Sequence, residues 1–175
     1  VKTRRKRNKI TSLQKGNGEW CTDNQQIIQE ICRYYEDMYT TSQPQNMEEV
    51  LEGVPVSITS RLIQNLIQLV DENEVRAAVF SMHPNKAPGP DGMTPLFFQR
   101  YWHTIKTDVV SAIQSFLSNG HLLKSINETS RTLIPKVDNP ISLPNYRPIS
   151  LCNALYRIIA KILANRLKKV IALCI

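Results

Sequence analysis

The chain has 175 residues, of which 42% are hydrophobic and 21% charged, proportions that are ordinary for a globular protein of one domain. No apolar run is long enough to cross a bilayer, and the basic N terminus lacks the apolar segment of a signal peptide. The four cysteines show no spacing typical of zinc ligands and suit a reducing compartment as free thiols. The sequence therefore predicts a soluble intracellular protein without a membrane partner.

The net charge of +7 is concentrated at the N terminus, where six cations stand among the first nine residues without an acid. We expect this arm, through about Lys15, to lack fixed structure because it shows no hydrophobic periodicity. It could bind the phosphates of RNA or DNA, serve as a nuclear import signal, or be only a solvated run of charge. The six cations are Lys2, Arg4, Arg5, Lys6, Arg7 and Lys9.

The first predicted helix follows a turn at Gly16-Asn17-Gly18. Asp23 and Gln26 have the spacing of a capping box, which indicates that the helix begins there. Its apolar stripe is Ile27, Ile31, Tyr35 and Met38. Three tyrosines at helical spacing are assigned to the core rather than to a base-stacking surface, namely Tyr34, Tyr35 and Tyr39.

Two more helices are predicted before the first Pro/Gly-rich segment. Thr59 or Ser60 could cap one of them, and Asp71 with Glu74 forms a second capping box. The apolar positions of the earlier helix are Leu62, Leu66, Leu69 and Val70. The inward positions of the later helix are Val75, Ala78, Val79 and Met82.

Two helices are also predicted in the middle of the chain. Thr94 and Pro95 suit the N-cap and first position of a helix that runs through Trp102. The next helix is predicted over residues 106–117, and Asn119-Gly120 is typical of its C-terminal end.

The last third of the chain predicts a strand pair and a long helix. Residues 131–136 and 146–151 are short and rich in β-forming residues, which indicates two strands. From Asn153 an amphipathic helix is predicted, with an apolar side made of Leu155, Ile159, Ile162 and Leu163. The fold class is therefore α+β, mostly helical, with one small antiparallel hairpin.

A turn rich in proline and glycine, Lys86-Ala-Pro-Gly-Pro-Asp-Gly92, precedes these elements. It is not a P-loop, because the Gly-Lys-Ser/Thr ending is absent and its prolines lack the N–H donors of a phosphate cradle. Gly89 and Gly92 permit a tight turn, and Asp91 is expected to cap it through side-chain hydrogen bonds.

Four segments in one order carry a resemblance to a known family. They are the turn at residues 86–92, Leu133-Ile-Pro-Lys136, Tyr146-Arg-Pro-Ile-Ser-Leu-Cys-Asn153 and the helical stretch Ile159–Leu167. This order resembles the front half of the reverse transcriptase of non-LTR (LINE-type) retrotransposons, most closely the plant ones. The resemblance implies a basic arm and linker over residues 1–55. Residues 56–175 would then be the fingers and first palm helix of a right-hand polymerase, with the palm incomplete.

Lys136 and Arg147 are the candidate nucleotide-binding residues. A hairpin that closes over a triphosphate needs cations, and lysine offers a compact charge while arginine can grip two phosphate oxygens. Similar polymerases use a lysine and an arginine of a fingers hairpin in this way, and the resemblance also implies that Lys86 contacts the template backbone. The alternative is that Lys136 and Arg147 are solvated charges flanking a loop.

The catalytic carboxylates of the resembled family fall after the equivalent of Ile175, and the chain contains no Asp-Asp pair. We therefore expect no catalytic residue, no metal ligand and no bound cofactor here, and no polymerase activity from the chain alone. Mg²⁺ is implied for the complete polymerase, with RNA template, DNA primer and deoxynucleotides as its partners. An upstream endonuclease domain and a nuclear location are implied as well.

Two alternatives remain beside a truncated RNA-directed DNA polymerase. One is a non-catalytic nucleic-acid-binding module derived from such an element, and the other is a relic without function. The coding sequence just past Ile175 would discriminate between them, because an in-frame aromatic-x-Asp-Asp motif favours the enzyme.

Overall fold

The structure is a computed structural model that describes residues 9–43, 45–53 and 58–171. These residues are mostly helical, with two two-stranded sheets. The elements are β1 (Leu13–Gln14), β2 (Trp20–Cys21), α1 (Asn24–Tyr39), α2 (Met47–Leu51), α3 (Ser60–Leu66), α4 (Glu72–Ser81), α5 (Pro95–Arg100), α6 (Trp102–Asn119), α7 (Lys124–Asn127), β3 (Thr129–Pro135), a 3-10 turn (Leu143–Asn145), β4 (Tyr146–Cys152) and α8 (Ala154–Ile171). Over the described ranges, no helix combines the length and apolar character that a bilayer crossing requires.

The chain divides into two compact units, and its course passes from one to the other within β3 and within β4. Among the described residues, the first unit comprises 9–43, 45–53 and 131–149, and the second comprises 58–130 and 150–171. Each unit has its own cluster of buried apolar residues.

The first unit is built around a small N-terminal hairpin. β1 and β2 are antiparallel, with Leu13 opposite Cys21 and Gln14 opposite Trp20. The turn between them is closed by the N–H of Lys15, which donates to the Glu19 carbonyl at 2.8 Å. The expectation that the chain lacks fixed structure through Lys15 is therefore wrong from Leu13 onward. The apolar Leu13 side chain is fully buried, which a short stretch without periodicity could not reveal.

Helix α1 begins as predicted, because the Asp23 side chain accepts hydrogen bonds from the N–H groups of Gln25 and Gln26, both at 3.0 Å. The reciprocal half of the capping box is not formed. The Gln26 side chain instead accepts a weak hydrogen bond from the Cys21 thiol.

The end of α1 departs from the predicted stripe. Ile27 and Tyr35 are buried, but Met38 and Tyr39 are 52% and 56% exposed, so the core assignment of these two is wrong. The Tyr39 ring stacks on Tyr35, and the Arg131 guanidinium lies 4.5 Å from its centroid. The core of the first unit, called the first core, consists of Leu13, Cys21, Ile27, Leu143 and Tyr146. It covers the N-terminal and central turns of α1 and leaves the last turn exposed.

The second unit has a core formed by α4, α5, α6 and α8. The predicted inward face of α4 is confirmed, and Met82 just past its end is also buried. The buried residues are Val70, Val75, Ala78, Val79, Met82, Phe98, Trp102, Val109, Ile113, Ala154, Ile158, Ile159 and Ile162.

The helix predicted to include Leu69 is shorter than expected. α3 is capped by the Thr59 hydroxyl, which accepts from the Leu62 N–H at 3.4 Å, and it ends at Leu66. Leu69 is 73% exposed, whereas Val70 is buried. The backbone leaves the helical region at Ile67, so the helical spacing no longer applies beyond it.

The two middle helices are separated by a single residue, a shorter connection than the sequence indicated. α5 begins at Pro95 but ends at Arg100, and α6 begins at Trp102 rather than near residue 106. Gly120 ends α6 in the left-handed conformation with φ 70°, as predicted. The strand pair is also confirmed, with β3 beginning two residues earlier than expected.

Helix α8 is rotated relative to its predicted apolar side. Ile159 and Ile162 are buried as expected, but Leu163 is 39% exposed. Ile158 and Arg166 take the inward positions. Arg166 lies inside because Glu74 of α4 supplies a carboxylate for it, a partner 92 residues away.

Candidate nucleotide and nucleic-acid interface

The two predicted nucleotide-binding cations lie at the loop end of the β3–β4 hairpin in the first unit. Lys136 directly follows β3, and its N–H donates to the Asn145 carbonyl at 2.8 Å, which closes the loop. Arg147 is the second residue of β4. Both side chains are exposed, and no described residue accepts a hydrogen bond from the Arg147 guanidinium. The hairpin thus presents two cations to solvent.

The alternation of β4 explains why Arg147 is exposed. Successive side chains of a strand point to opposite faces. Tyr146 is 5% exposed and belongs to the first core, and its burial raises the pKa of the phenol. Arg147 therefore lies on the face of β4 opposite that core.

The loop between the strands is ordered by its own polar groups. The Asn145 side-chain oxygen accepts from the Ile141 and Ser142 N–H groups, both at 3.2 Å, and from the Ser142 hydroxyl at 3.1 Å. The Lys136 ammonium donates to the Pro144 carbonyl at 2.7 Å. One of its three donors is used in this way, so two remain for a ligand.

The predicted turn at residues 86–92 lies in the second unit, against the start of α8. A Cβ atom on Gly89 would stand 2.4 Å from the carbonyl carbon and oxygen of Cys152 and 2.6 Å from the Asn153 nitrogen. Gly92 has φ +68°, and its N–H donates to the Gly89 carbonyl at 3.0 Å. Each glycine therefore meets a different requirement, close approach at Gly89 and a left-handed backbone at Gly92.

Asp91 connects this turn to α8. One carboxylate oxygen accepts from the Met93 N–H at 3.0 Å, and the other accepts from the Ala154 N–H at 2.7 Å. The Asp91 N–H donates in return to the Asn153 side-chain oxygen at 2.9 Å. The negative charge lies at the N terminus of α8, where the helix dipole favours it.

Asn153 and Arg157 also bind the turn, and the sequence predicted this contact for neither of them. The buried Asn153 amide donates to the carbonyls of Ser125 and Ile126 at 2.7 and 3.1 Å. Arg157 donates to the Ala87 carbonyl at 3.0 Å. A polar residue just before a predicted helix signals a cap, but neither long-range contact has a local signal.

Lys86, the predicted template contact, is exposed on this turn. No carboxylate of the described residues forms an ion pair with it. Of the arm cations, Lys9 is described and exposed. The other five lie outside the described residues, namely Lys2, Arg4, Arg5, Lys6 and Arg7. Across the described ranges, no three or more His, Cys, Asp or Glu side chains form a group that could hold a metal ion.

The chain is similar to proteins of transposable elements. It is 31% identical over 168 residues, or 95% of its length, to the Transposon TX1 uncharacterized 149 kDa protein of Xenopus laevis. It is 28% identical over 159 residues, or 90% of its length, to the Retrovirus-related Pol polyprotein from type-2 retrotransposable element R2DM of Drosophila melanogaster. A similar polyprotein from type-1 retrotransposable element R2 of Popillia japonica is 31% identical over 105 residues, 59% of the chain. No family model matches the chain.

The chain spans 13% or 14% of the length of these relatives. It is homologous to retrotransposon polyproteins, which supports a retrotransposon-derived protein and confirms the predicted relationship at that level. A partnership with nucleic acid in general is consistent with this origin.

Proposed function

We propose that this chain is the front part of the reverse transcriptase domain of a non-LTR retrotransposon, related to the plant elements, and that its β3–β4 hairpin contacts the incoming deoxynucleotide. The observation that carries the proposal is the exposure of Lys136 and Arg147 at the loop end of a hairpin whose other face belongs to a core. Homology over 95% of the chain to a transposon protein supports it. Its substrates would be an RNA template, a DNA primer and deoxynucleotides.

The two cations suit a triphosphate for different reasons. Lys136 has a compact ammonium that can meet one phosphate as a point charge, and the loop carbonyl of Pro144 already orients it. Arg147 has a planar guanidinium that can bind two phosphate oxygens at once. Together they would neutralise part of the triphosphate charge as the nucleotide is bound.

The turn at residues 86–92 suits a contact with the nucleic-acid backbone. Its two ends are fixed to α8 through Asp91 and Arg157, which holds the backbone that carries Lys86. An exposed lysine on a fixed turn can bind a phosphate without reading the base. We assign Lys86 such a contact with the template strand.

Mg²⁺ belongs to this proposal only for the complete polymerase. Two-metal phosphoryl transfer needs clustered carboxylates to hold the cations. The described part of this chain offers no such cluster, so the metal would be held by residues elsewhere in the polymerase.

The hairpin assignment predicts specific losses in a complete polymerase polypeptide that contains this chain. Lys136→Ala should weaken nucleotide use by about 1.5–3 kcal/mol, the value of one charge-assisted hydrogen bond. Arg147→Lys should also impair incorporation, because lysine cannot reproduce a bidentate grip. Single-nucleotide incorporation kinetics at varied deoxynucleotide concentration measure both effects, and a binding titration with primer–template measures the other substrate.

Arg33→Lys provides the matched control, since Arg33 is an exposed cation of the first unit that pairs with Glu30 on α1. It should leave the kinetics unchanged. Wild-type incorporation by both hairpin variants, or equal damage to primer–template binding, would contradict the assignment.

The six cations of the N-terminal arm predict that nucleic-acid binding weakens steeply as the salt concentration rises. Deleting residues 1–9 should remove most of the slope of log affinity against log salt concentration, because each phosphate neutralised on duplex DNA adds up to about 0.9 to that slope. Fluorescence anisotropy with a labelled duplex between 50 and 200 mM salt, roughly the range over which such contacts are lost, measures the slope. An unchanged slope after deletion would place the binding in the folded units.

A further inference from the structure

The loop that carries Lys136 is supported from its core side by the N-terminal hairpin. Leu13 and Cys21 face each other across β1 and β2, and neither has any exposed surface. They share the first core with Leu143, which lies in the 3-10 turn before β4, and with Tyr146, which is the first residue of β4. The backbone is joined as well, because the Gln14 N–H donates to the Ile141 carbonyl at 2.7 Å.

These contacts lead directly to the cations. Leu143 is followed by Pro144, whose carbonyl accepts from the Lys136 ammonium, and by Asn145, whose carbonyl accepts from the Lys136 N–H. Tyr146 immediately precedes Arg147. The two carbonyls that hold Lys136 therefore belong to direct neighbours of Leu143 and Tyr146, and Arg147 itself directly follows Tyr146.

The β3–β4 sheet depends on such support. It has two strands, and an isolated two-stranded hairpin is marginally stable at best in water. Its core-facing side is covered by Leu13, Cys21 and Ile27, all from the first thirty residues. Burial of this apolar surface can offset the conformational entropy lost when the loop becomes ordered.

We infer that residues 13–21 are a positioning element that holds the Lys136 loop and Arg147 in place, with Leu13 as its central positioning residue. The ligand whose binding this positioning would favour is a nucleotide triphosphate, and this part of the inference rests on the proposed function. The mechanical coupling between Leu13 and the loop does not rest on it. The segment would thus belong to the nucleotide-contact site although it precedes Lys136 by more than a hundred residues.

Hydrogen exchange on the full 175-residue chain tests the coupling without any polymerase reaction. Leu13→Ala leaves a cavity in the core that also contains Leu143 and Tyr146, so the amides of Lys136 and Asn145 should exchange at least about tenfold faster. Leu51→Ala is the matched control, since Leu51 is 57% exposed in the same unit. Ile113→Ala creates a cavity in the second core, and both controls should leave the exchange of the two loop amides within about twofold.

If Leu13→Ala prevents folding of the first unit, Leu13→Val removes one methylene and should still raise the exchange of the loop amides above that of Leu51→Ala. Unchanged loop exchange in a folded Leu13 variant overturns the inference. So does an equal acceleration by Ile113→Ala, because the loop would then respond to stability in general.

The consequence for nucleotide use is tested in the complete polymerase polypeptide. Leu13→Ala should raise the KM for deoxynucleotide about tenfold with primer–template binding unchanged, and Leu13→Ile should restore most of the loss. An unchanged KM in Leu13→Ala, beside a raised KM in Lys136→Ala, overturns the positioning role. If Lys136→Ala itself leaves both the KM and the incorporation rate unchanged, the proposed function fails, while the exchange experiment still decides the coupling.

Discussion

Gly89→Ala is expected to destabilise the second unit by about 3 kcal/mol or more. The added Cβ would stand 2.4 Å from backbone atoms of Cys152, and backbone at the start of a helix cannot move aside as a flexible side chain can. The substitution should push the turn away from α8 and stretch the hydrogen bond between Asp91 and the Ala154 N–H. Under the proposed function, in which Lys86 on this turn contacts the template, the same substitution should also weaken template binding by the complete polymerase.

Two other glycines separate this steric effect from the general consequences of a Gly→Ala change. Gly16 has no atom within 4 Å of an added Cβ and no positive φ, so Gly16→Ala should change the free energy of unfolding by less than about 0.5 kcal/mol. Gly92 also has open space but a φ of +68°, so Gly92→Ala should be destabilising by about 1–2 kcal/mol. The expected order of damage is Gly89, then Gly92, then Gly16.

Urea denaturation followed by Trp102 fluorescence measures the values for Gly89→Ala and Gly92→Ala, because Trp102 is buried in the core of the same unit. Gly16 lies in the first unit, so Gly16→Ala is followed by far-UV circular dichroism in the same titrations. A Trp20→Phe background removes the other tryptophan, which is 51% exposed. A Gly89→Ala variant as stable as Gly16→Ala would contradict the close approach between the turn and α8.

Glu74→Ala is the second substitution with a large expected effect, a loss of about 3–5 kcal/mol. Arg166 is 9% exposed and donates to both oxygens of the Glu74 carboxylate, at 2.7 and 2.6 Å. This hydrogen bonding raises the pKa of Arg166. Removal of Glu74 takes that effect away, but arginine has so high an intrinsic pKa that the guanidinium stays charged. A charge without its counterion would then remain at a buried position.

The remaining contacts of Arg166 show why the pair is retained. One guanidinium nitrogen also donates to the carbonyls of Leu66 and Gln68, each at 2.8 Å, where the chain leaves α3. Arg166 therefore satisfies carbonyls that its removal would leave without a partner. Glu74→Ala and Arg166→Met should each be severe, and the double variant should lose less than the sum of the two.

Glu72 provides the control on the same helix turn. It forms an ion pair with Lys106 at 2.9 Å, but both side chains are more than a third exposed. Glu72→Ala should therefore lower the free energy of unfolding by no more than about 1 kcal/mol. Equal losses from Glu72→Ala and Glu74→Ala in the same denaturation experiment would show that Arg166 is not buried as the structure has it.

The starts of α1, α3 and α4 were predictable because a cap is a local interaction. Asp23, Thr59 and Asp71 each accept a hydrogen bond from an N–H two or three residues later, and the sequence shows both members. The second half of each capping box was not predictable. Glu74 has the right spacing to Asp71, but its carboxylate binds Arg166 instead, and that alternative appears only when α4 and α8 are brought together.

The candidate site likewise has parts that could be predicted from the sequence and parts that could not. The turn at residues 86–92 and the strand pair with Lys136 and Arg147 follow from short motifs and β-forming residues. The support of the loop by Leu13 could not be predicted, because two strands of two residues give no periodicity to recognise. The exposure of Tyr39 and Leu163 also depended on which faces neighbouring elements cover.

The sequence by itself therefore determined the caps of α1, α3 and α4, the tight turn at residues 86–92, the β3–β4 strand pair and the relationship to retrotransposon proteins. The caps, the turn and the strands depend on residues that are neighbours in the chain, and the relationship depends on short segments in a fixed order. Only the tertiary structure decided that Leu13 shares a core with the residues of the Lys136 loop and that Arg166 is buried. It also decided that the Asp91 carboxylate accepts a hydrogen bond from the first N–H of α8. These contacts join residues 60 or more positions apart, and the covering of one surface by another cannot be read from the spacing within either.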